Sequence, residues 1–174
     1  EIRIFGMGES SVEETLYEPM NALTNPTLAP YAKPNEVMLR ATAKADTPEA
    51  AEAMLRPLVA QVQDMLGDVV YGVDVGSLEE VVSALLKERD LTLSAAESCT
   101  GGLIAKRMTD LPGASAVFRG GVVSYTDAVK SGVLGVPEDV LAEYGAVSEP
   151  AARAMAEGCR KICGSDLAVS VTGV

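Results

Sequence analysis

Ser98, Cys99 and Thr100 stand in direct succession, followed by Gly101 and Gly102, in the stretch AESCTGGLIAKRMTDLPG over 96–113. Two of these side chains are potential nucleophiles. A serine hydroxyl must lose its proton to attack a carbonyl carbon, so Ser98 needs a base. The chain's 174 residues include no histidine. That excludes a Ser-His-Asp triad, a Cys-His pair and most catalytic zinc sites. The base must then be a lysine, a tyrosine or a carboxylate, and serine–lysine pairs are a known variant of the triad logic. Cys99 is the stronger nucleophile intrinsically, and a helix start would favour its thiolate. A cysteine at a helix start is nevertheless more often a packing residue.

Thr100, Gly101 and Gly102 read as the first turn of a helix over 99–110, with Ile104, Met108 and Leu111 as its inward stripe. Free backbone N–H groups at a helix start, uncrowded by side chains, suit an anion: a substrate phosphate or a developing oxyanion. The spacing is neither Gly-x-x-x-x-Gly-Lys nor Gly-x-Gly-x-x-Gly. On its own the turn serves equally well for tight helix–sheet packing. A second stretch, FRGGVVSYTDAVKSGVLGV, ends a strand at Tyr125 and places Lys130 five residues on, about a turn into the next helix. A tyrosine and a lysine at the ligand crevice of an α/β sheet can act as proton relay and base. From spacing alone the plainer reading carries more weight: a solvated helix lysine and an interface tyrosine. Cys159 and Cys163, four apart on one helix face, read as small buried residues rather than metal ligands. No metal or cofactor is expected.

The elements that must position these residues follow from periodicity and caps. Residues 2–5 form a strand, Gly6-Met7-Gly8 a turn, and a short helix starts near Ser10. The segment NALTNPTLAPYAKPNE, with three prolines, is loop or edge structure. EVMLRATAKA alternates as a half-buried strand. Thr47-Pro48 caps a helix running to Leu66, with Met54, Leu55, Leu58, Val62 and Met65 on one stripe, Gly67 as its stop and Pro57 as an internal kink. DVVYGVDV is a strand. Ser77-Leu78-Glu79-Glu80 is a capping box that opens a new helix, and the domain boundary falls just before it. Thereafter strands over 91–95, 117–125 and 167–172 alternate with helices over 99–110, through 144 and over 149–163, the last capped by Ser148. Such alternation argues an α/β layer with helices on a sheet. Two domains are expected, 1–75 and 76–174: a small α+β sandwich that assembles no catalytic set, then the α/β layer.

Bulk properties narrow the function classes. Hydrophobic residues make up 48% and charged residues 22%, enough for a core and against disorder. Three cysteines are too few for a disulfide framework and fit a reducing cytoplasm. No signal peptide or long apolar run suggests secretion or a membrane span. The net charge is −11, and residues 1–80 carry 5 basic and 14 acidic side chains, a balance of −9. So acidic a surface disfavours nucleic acid. The sequence starts in an apolar run without an initiator methionine and stops in DLAVSVTGV, so a piece of a longer protein is expected.

Taken together, AESCTGG, GGVVSYTDAVKSGVLGV, GAVSEPAARAMAEG and SVTGV, in this order, resemble the C-terminal domain of the CinA family of competence/damage-inducible proteins. RIFGMGES, TNPTLAPYAKPNEVMLRATAKA and VVYG resemble its KH-like middle domain. The resemblance implies a KH-like α+β domain followed by an α/β deamidase domain, incomplete at its C-terminus. The implied activity is a nicotinamide-nucleotide amidase. It hydrolyses nicotinamide mononucleotide to nicotinic acid mononucleotide and ammonia, in the cytoplasm, as a homodimer. The matching functional positions are Ser98, Tyr125, Lys130 and Thr172, and a further family arginine has no counterpart here. On this reading Ser98 is the nucleophile, a desolvated Lys130 its base and Tyr125 part of the relay. Thr172 and the amides near Thr100–Gly102 share the oxyanion and phosphate. The alternative is a non-catalytic binding or dimerisation fragment, associated with nucleic acid through the KH-like domain.

Overall fold

The computed structural model describes residues 1–33 and 36–174. Pro34 and Asn35, from the proline-rich stretch, lie outside the described residues. The chain forms two compact units, Glu1–Val81 and Val82–Val174. Among the described residues no helix is long and apolar enough to cross a membrane.

The first unit runs β1 (Ile2–Phe5), α1 (Glu9–Thr15), α2 (Tyr17–Ala22), β2 (Thr27–Lys33), β3 (Glu36–Thr42), α3 (Pro48–Leu66) and β4 (Val70–Val73). Its sheet has the order β2-β3-β1-β4, with every pairing antiparallel. The proline-rich stretch thus supplies an edge strand, where Pro30 can sit because the N–H it lacks is not needed on the open side. Thr47 caps α3, its Oγ1 accepting from the Ala50 amide at 3.2 Å. Pro57 lies within α3 without dividing it. Leu58, Val62 and Leu66 face the core formed by Ile2, Ile4 and Leu39. Met65, expected on that stripe, is exposed, because the inward row continues at a spacing of four, from Val62 to Leu66.

In the second part of the chain, α4 (Leu78–Glu88) begins just before the division between units. Ser77 Oγ accepts from the Glu80 amide at 3.3 Å, as a capping box requires. Then follow β5 (Leu93–Glu97), α5 (Leu103–Thr109), β6 (Phe118–Val123), α6 (Asp127–Gly132), α7 (Glu138–Tyr144), α8 (Glu149–Cys163) and β7 (Leu167–Val171). The three strands are parallel in the order β6-β5-β7, so β5 is central. Ala95 belongs to the core with Leu86, Met108, Val117 and Phe118, while Ala96 belongs to that with Leu134, Val136, Met155 and Cys159. Neighbouring side chains on a strand point to opposite faces, so the sheet is covered on both. This is the α/β layer the alternation predicts.

Small residues allow close approach, within the sheet at Gly121 and on helix α8 at Gly158. A Cβ at Gly121 would stand 2.6 Å from the Ala95 carbonyl oxygen, and one at Gly158 would collide with that of Leu134. Ser148 caps α8 by accepting from the Ala151 amide at 3.3 Å. Strand β5 starts two residues later than the 91–95 reading and runs on to Glu97. The cause lies at its entry. Thr92 donates both its amide (2.8 Å) and its hydroxyl (2.6 Å) to Asp166 Oδ2, and these bonds hold the Asp166 carboxyl below its usual pKa. In the ladder Glu97 pairs with both Val123 and Val171. Ser98, Ser124 and Thr172 therefore leave the sheet side by side at its C-terminal rim. Open parallel sheets bind ligands there.

Candidate active site

Lys130 is carried by α6, which starts at Asp127 after Thr126. Helical side chains lean toward the N-terminus of their helix, so Lys130 folds back over the strand end. There its Nζ donates to Ser98 Oγ at 3.2 Å, to the Ser124 carbonyl at 3.0 Å and to the Tyr125 carbonyl at 3.3 Å. Asp127 Oδ1 lies 3.8 Å away. The lysine side chain is only 2% exposed, which overturns the solvated-lysine reading. A buried ammonium without acceptors would cost roughly several kcal/mol; three oxygens within hydrogen-bond reach are the compensation. Ser98 is buried as well, and its amide donates to the Val171 carbonyl at 2.9 Å, tying this serine's backbone to β7.

Around this pair lies a cavity of about 450 Å³, lined by Ser98, Cys99, Tyr125, Lys130, Val147 and Thr172 among others. A concavity of about 500 Å³ in the first unit, beside Phe5–Gly8, Lys33 and Glu36, is larger. It presents no hydroxyl or thiol nucleophile among those residues, whereas the smaller one holds Ser98 and Cys99 beside Lys130.

The remaining predicted residues are placed differently from expectation. Cys99–Gly102 do not form the first turn of α5. Gly101 (φ 59°) and Gly102 (φ 101°) are in the left-handed region, which glycine tolerates and a continuing helix does not. Nor are the amides from Gly101 to Ala105 free for an anion. Glu97 Oε2 accepts from Gly102 (3.1 Å) and Ile104 (3.0 Å), and Glu97 Oε1 accepts from Ala105 (2.8 Å). The Gly101 amide donates to the Ser98 carbonyl, and that of Leu103 to Thr100. The protein's own carboxylate takes the amides of Gly102, Ile104 and Ala105, and the Ser98 carbonyl takes that of Gly101, so of the turn expected to hold an anion the Thr100 amide remains.

Glu97 is 1% exposed. Burial pushes its carboxyl pKa up, but the N–H donors of Ala105, Ile104 and Gly102, with the nearby Thr100 hydroxyl, outweigh that and hold it below its usual value. Thr100 Oγ1 adds to this field although it lies outside hydrogen-bond geometry.

The Tyr125 side chain is 73% exposed, and its contact with Lys130 runs through its backbone carbonyl, not its phenol. Thr172 lines the cavity, but its hydroxyl donates to the Ala146 carbonyl at 2.7 Å, so its proton is engaged. Cys99 is exposed, Cys159 buried and Cys163 half-buried, the sulfurs of the last two 3.9 Å apart.

The sequence reading missed Glu97, Ser124 and Asp127. An acid closing the otherwise apolar-to-small strand LSAAE was a signal, since a buried carboxylate must find donors. Ser124, wholly buried, has a hydroxyl with no hydrogen-bond partner among the described residues.

Residues 75–174 match the family model for the CinA C-terminal domain, and residues 1–72 that for the damage-inducible protein CinA KH domain. The chain belongs to the CinA family. A CinA-like protein of Dictyoglomus turgidum is 49% identical over 99% of this chain, and one of Desulfovibrio desulfuricans 50% identical over 99%. The chain spans 42% and 40% of those CinA-family relatives' lengths. Solved CinA-family structures share the fold. The competence/damage-inducible protein CihA of Agrobacterium tumefaciens is 40% identical, with a TM-score of 0.52, over 59% of this chain and 64% of that one. The competence damage-inducible protein A of Klebsiella pneumoniae is 36% identical, with a TM-score of 0.54, over 55% and 60%.

Proposed function

We propose that the second unit is an amidohydrolase acting on the carboxamide of nicotinamide mononucleotide. The observation that carries the reading is the buried 3.2 Å contact between Lys130 Nζ and Ser98 Oγ at the floor of an open cavity. To act as the base, Lys130 first gives up its ammonium proton; the amine then keeps two N–H groups for the Ser124 and Tyr125 carbonyls and turns its lone pair to the Ser98 hydroxyl. Ser98 Oγ then bonds to the carboxamide carbon while its proton passes to Lys130. The tetrahedral intermediate collapses as the C–N bond breaks, and the leaving nitrogen takes that proton to depart as ammonia. Water, deprotonated by the same amine, cleaves the ester and returns the hydroxyl. The amides of Cys99 and Thr100, which donate to no described acceptor, are the candidates for the oxyanion, Cys99 being the residue after the nucleophile.

Nicotinamide mononucleotide as the substrate rests on the family. The cavity is of a size suited to a small ligand. Because the α5 amides are engaged by Glu97, the ligand's phosphate is met elsewhere. The test is ammonia release from nicotinamide mononucleotide by a protein extended to its relatives' length. Stoichiometric ammonia and nicotinic acid mononucleotide are expected. No turnover, with the fold intact, would overturn the reading.

A further inference from the structure

We propose that Glu97 is the positioning residue of the Ser98–Lys130 pair: its carboxylate fixes the turn that follows Ser98, and its carbonyl fixes the strand end that cradles Lys130. This rests on the reading of that pair given above. Three amides converge on the two carboxylate oxygens, from Gly102, Ile104 and Ala105. They fold 98–102 into a tight bend directly after the serine. On the opposite side, the Glu97 carbonyl accepts from the Ser124 amide at 2.7 Å, and the Ser124 carbonyl in turn accepts from Lys130 Nζ at 3.0 Å. One residue is therefore bonded to both segments whose separation sets the nucleophile–base distance. Glu97 lines no part of the cavity and touches neither reacting atom, so it acts through others. Rate depends steeply on such positioning, since a misplacement of about 1 Å can cost about a hundredfold.

The conservative variant separates positioning from mere folding. In Glu97→Gln the amide oxygen can keep the two bonds to Gly102 and Ile104. The new NH₂ group meets the Ala105 N–H, donor against donor. In Glu97→Ala all three bonds go. For ammonia release from nicotinamide mononucleotide, kcat should fall about tenfold in the glutamine variant and about a hundredfold in the alanine variant. KM should stay within about twofold, because no binding contact changes. A second readout needs no activity and no variant. In the unmodified protein the amide proton resonances of Gly102, Ile104 and Ala105 should titrate together at acid pH, as their shared acceptor is protonated.

The outcomes are distinguishable. If the unmodified protein releases no ammonia, the functional reading fails, and the joint titration alone decides whether Glu97 holds the turn. If the three amides do not titrate together, the inference is overturned. If they do but kcat in Glu97→Gln matches the unmodified protein, or KM rises with kcat unchanged, Glu97 is structural and does not position Ser98.

Discussion

The Ser124 amide donates to the Glu97 carbonyl at 2.7 Å, immediately beyond the point where β5 and β6 stop pairing. This bond joins the two segments that carry the site, one leading into Ser98 and the other into Tyr125 and α6. Beyond it the backbones diverge, and the gap between them is where Lys130 enters. The Ser98–Lys130 pair sits at the end of a short parallel sheet because three strands in register terminate together, at Glu97, Val123 and Val171.

Thr172 separates a catalytic role from a structural one. Its hydroxyl proton already belongs to the Ala146 carbonyl, so it is not available to donate to an oxyanion. Thr172→Val should lower stability by about 1 kcal/mol through the lost hydrogen bond. Activity should fall less than about tenfold, well short of the loss for a missing oxyanion donor. Urea unfolding beside ammonia-release kinetics checks both.

Tyr125 tests whether the phenol or the backbone matters. Lys130 bonds the tyrosine's carbonyl, which substitution preserves, while the ring is exposed at the cavity mouth. Tyr125→Phe should keep kcat within about twofold, whereas Tyr125→Ala should raise KM by removing a ring surface from the mouth. A large kcat loss in the phenylalanine variant would restore the phenol to the proton relay. Steady-state kinetics of the two variants decide.

Glu97 makes stability depend on pH with a definite sign. Its folded-state carboxyl pKa lies below its ordinary value of 4.5. Its contribution is therefore fully present above that ordinary value and is lost as pH falls through the folded-state value. Unmodified protein should exceed Glu97→Gln in unfolding free energy at pH 7, and the gap should narrow steadily below pH 4.5. Denaturant titrations of both proteins across that window measure it. A gap that widens on acidification would contradict the assignment.

What was legible in the sequence was what acts locally. Thr47 and Ser148 cap their helices through residues three positions on, and such contacts follow from sequence spacing. The αβ alternation likewise gave the layered second unit. What was not legible depends on partners distant in sequence. Thr92 leaves the ladder because Asp166, far along the chain, holds it. The Gly102 amide is closed to an anion because Glu97 reaches it from the strand. A glycine-rich helix start looks open when only its own residues are considered. Lys130 shows the same limit. Its spacing from Tyr125 suggests a surface helix, and only the fold over β5 makes it a buried neighbour of Ser98.

The central claim is that Ser98 and Lys130 act as one chemical unit. Its most direct test is a double-mutant cycle on ammonia release from nicotinamide mononucleotide, using Ser98→Ala, Lys130→Met and the combination in a protein of its relatives' length. Each single variant should lose on the order of a thousandfold or more in kcat, and the double variant should be no worse than the singles, as for residues that act together. Near-normal turnover in either single variant, or losses that multiply in the double, would contradict it.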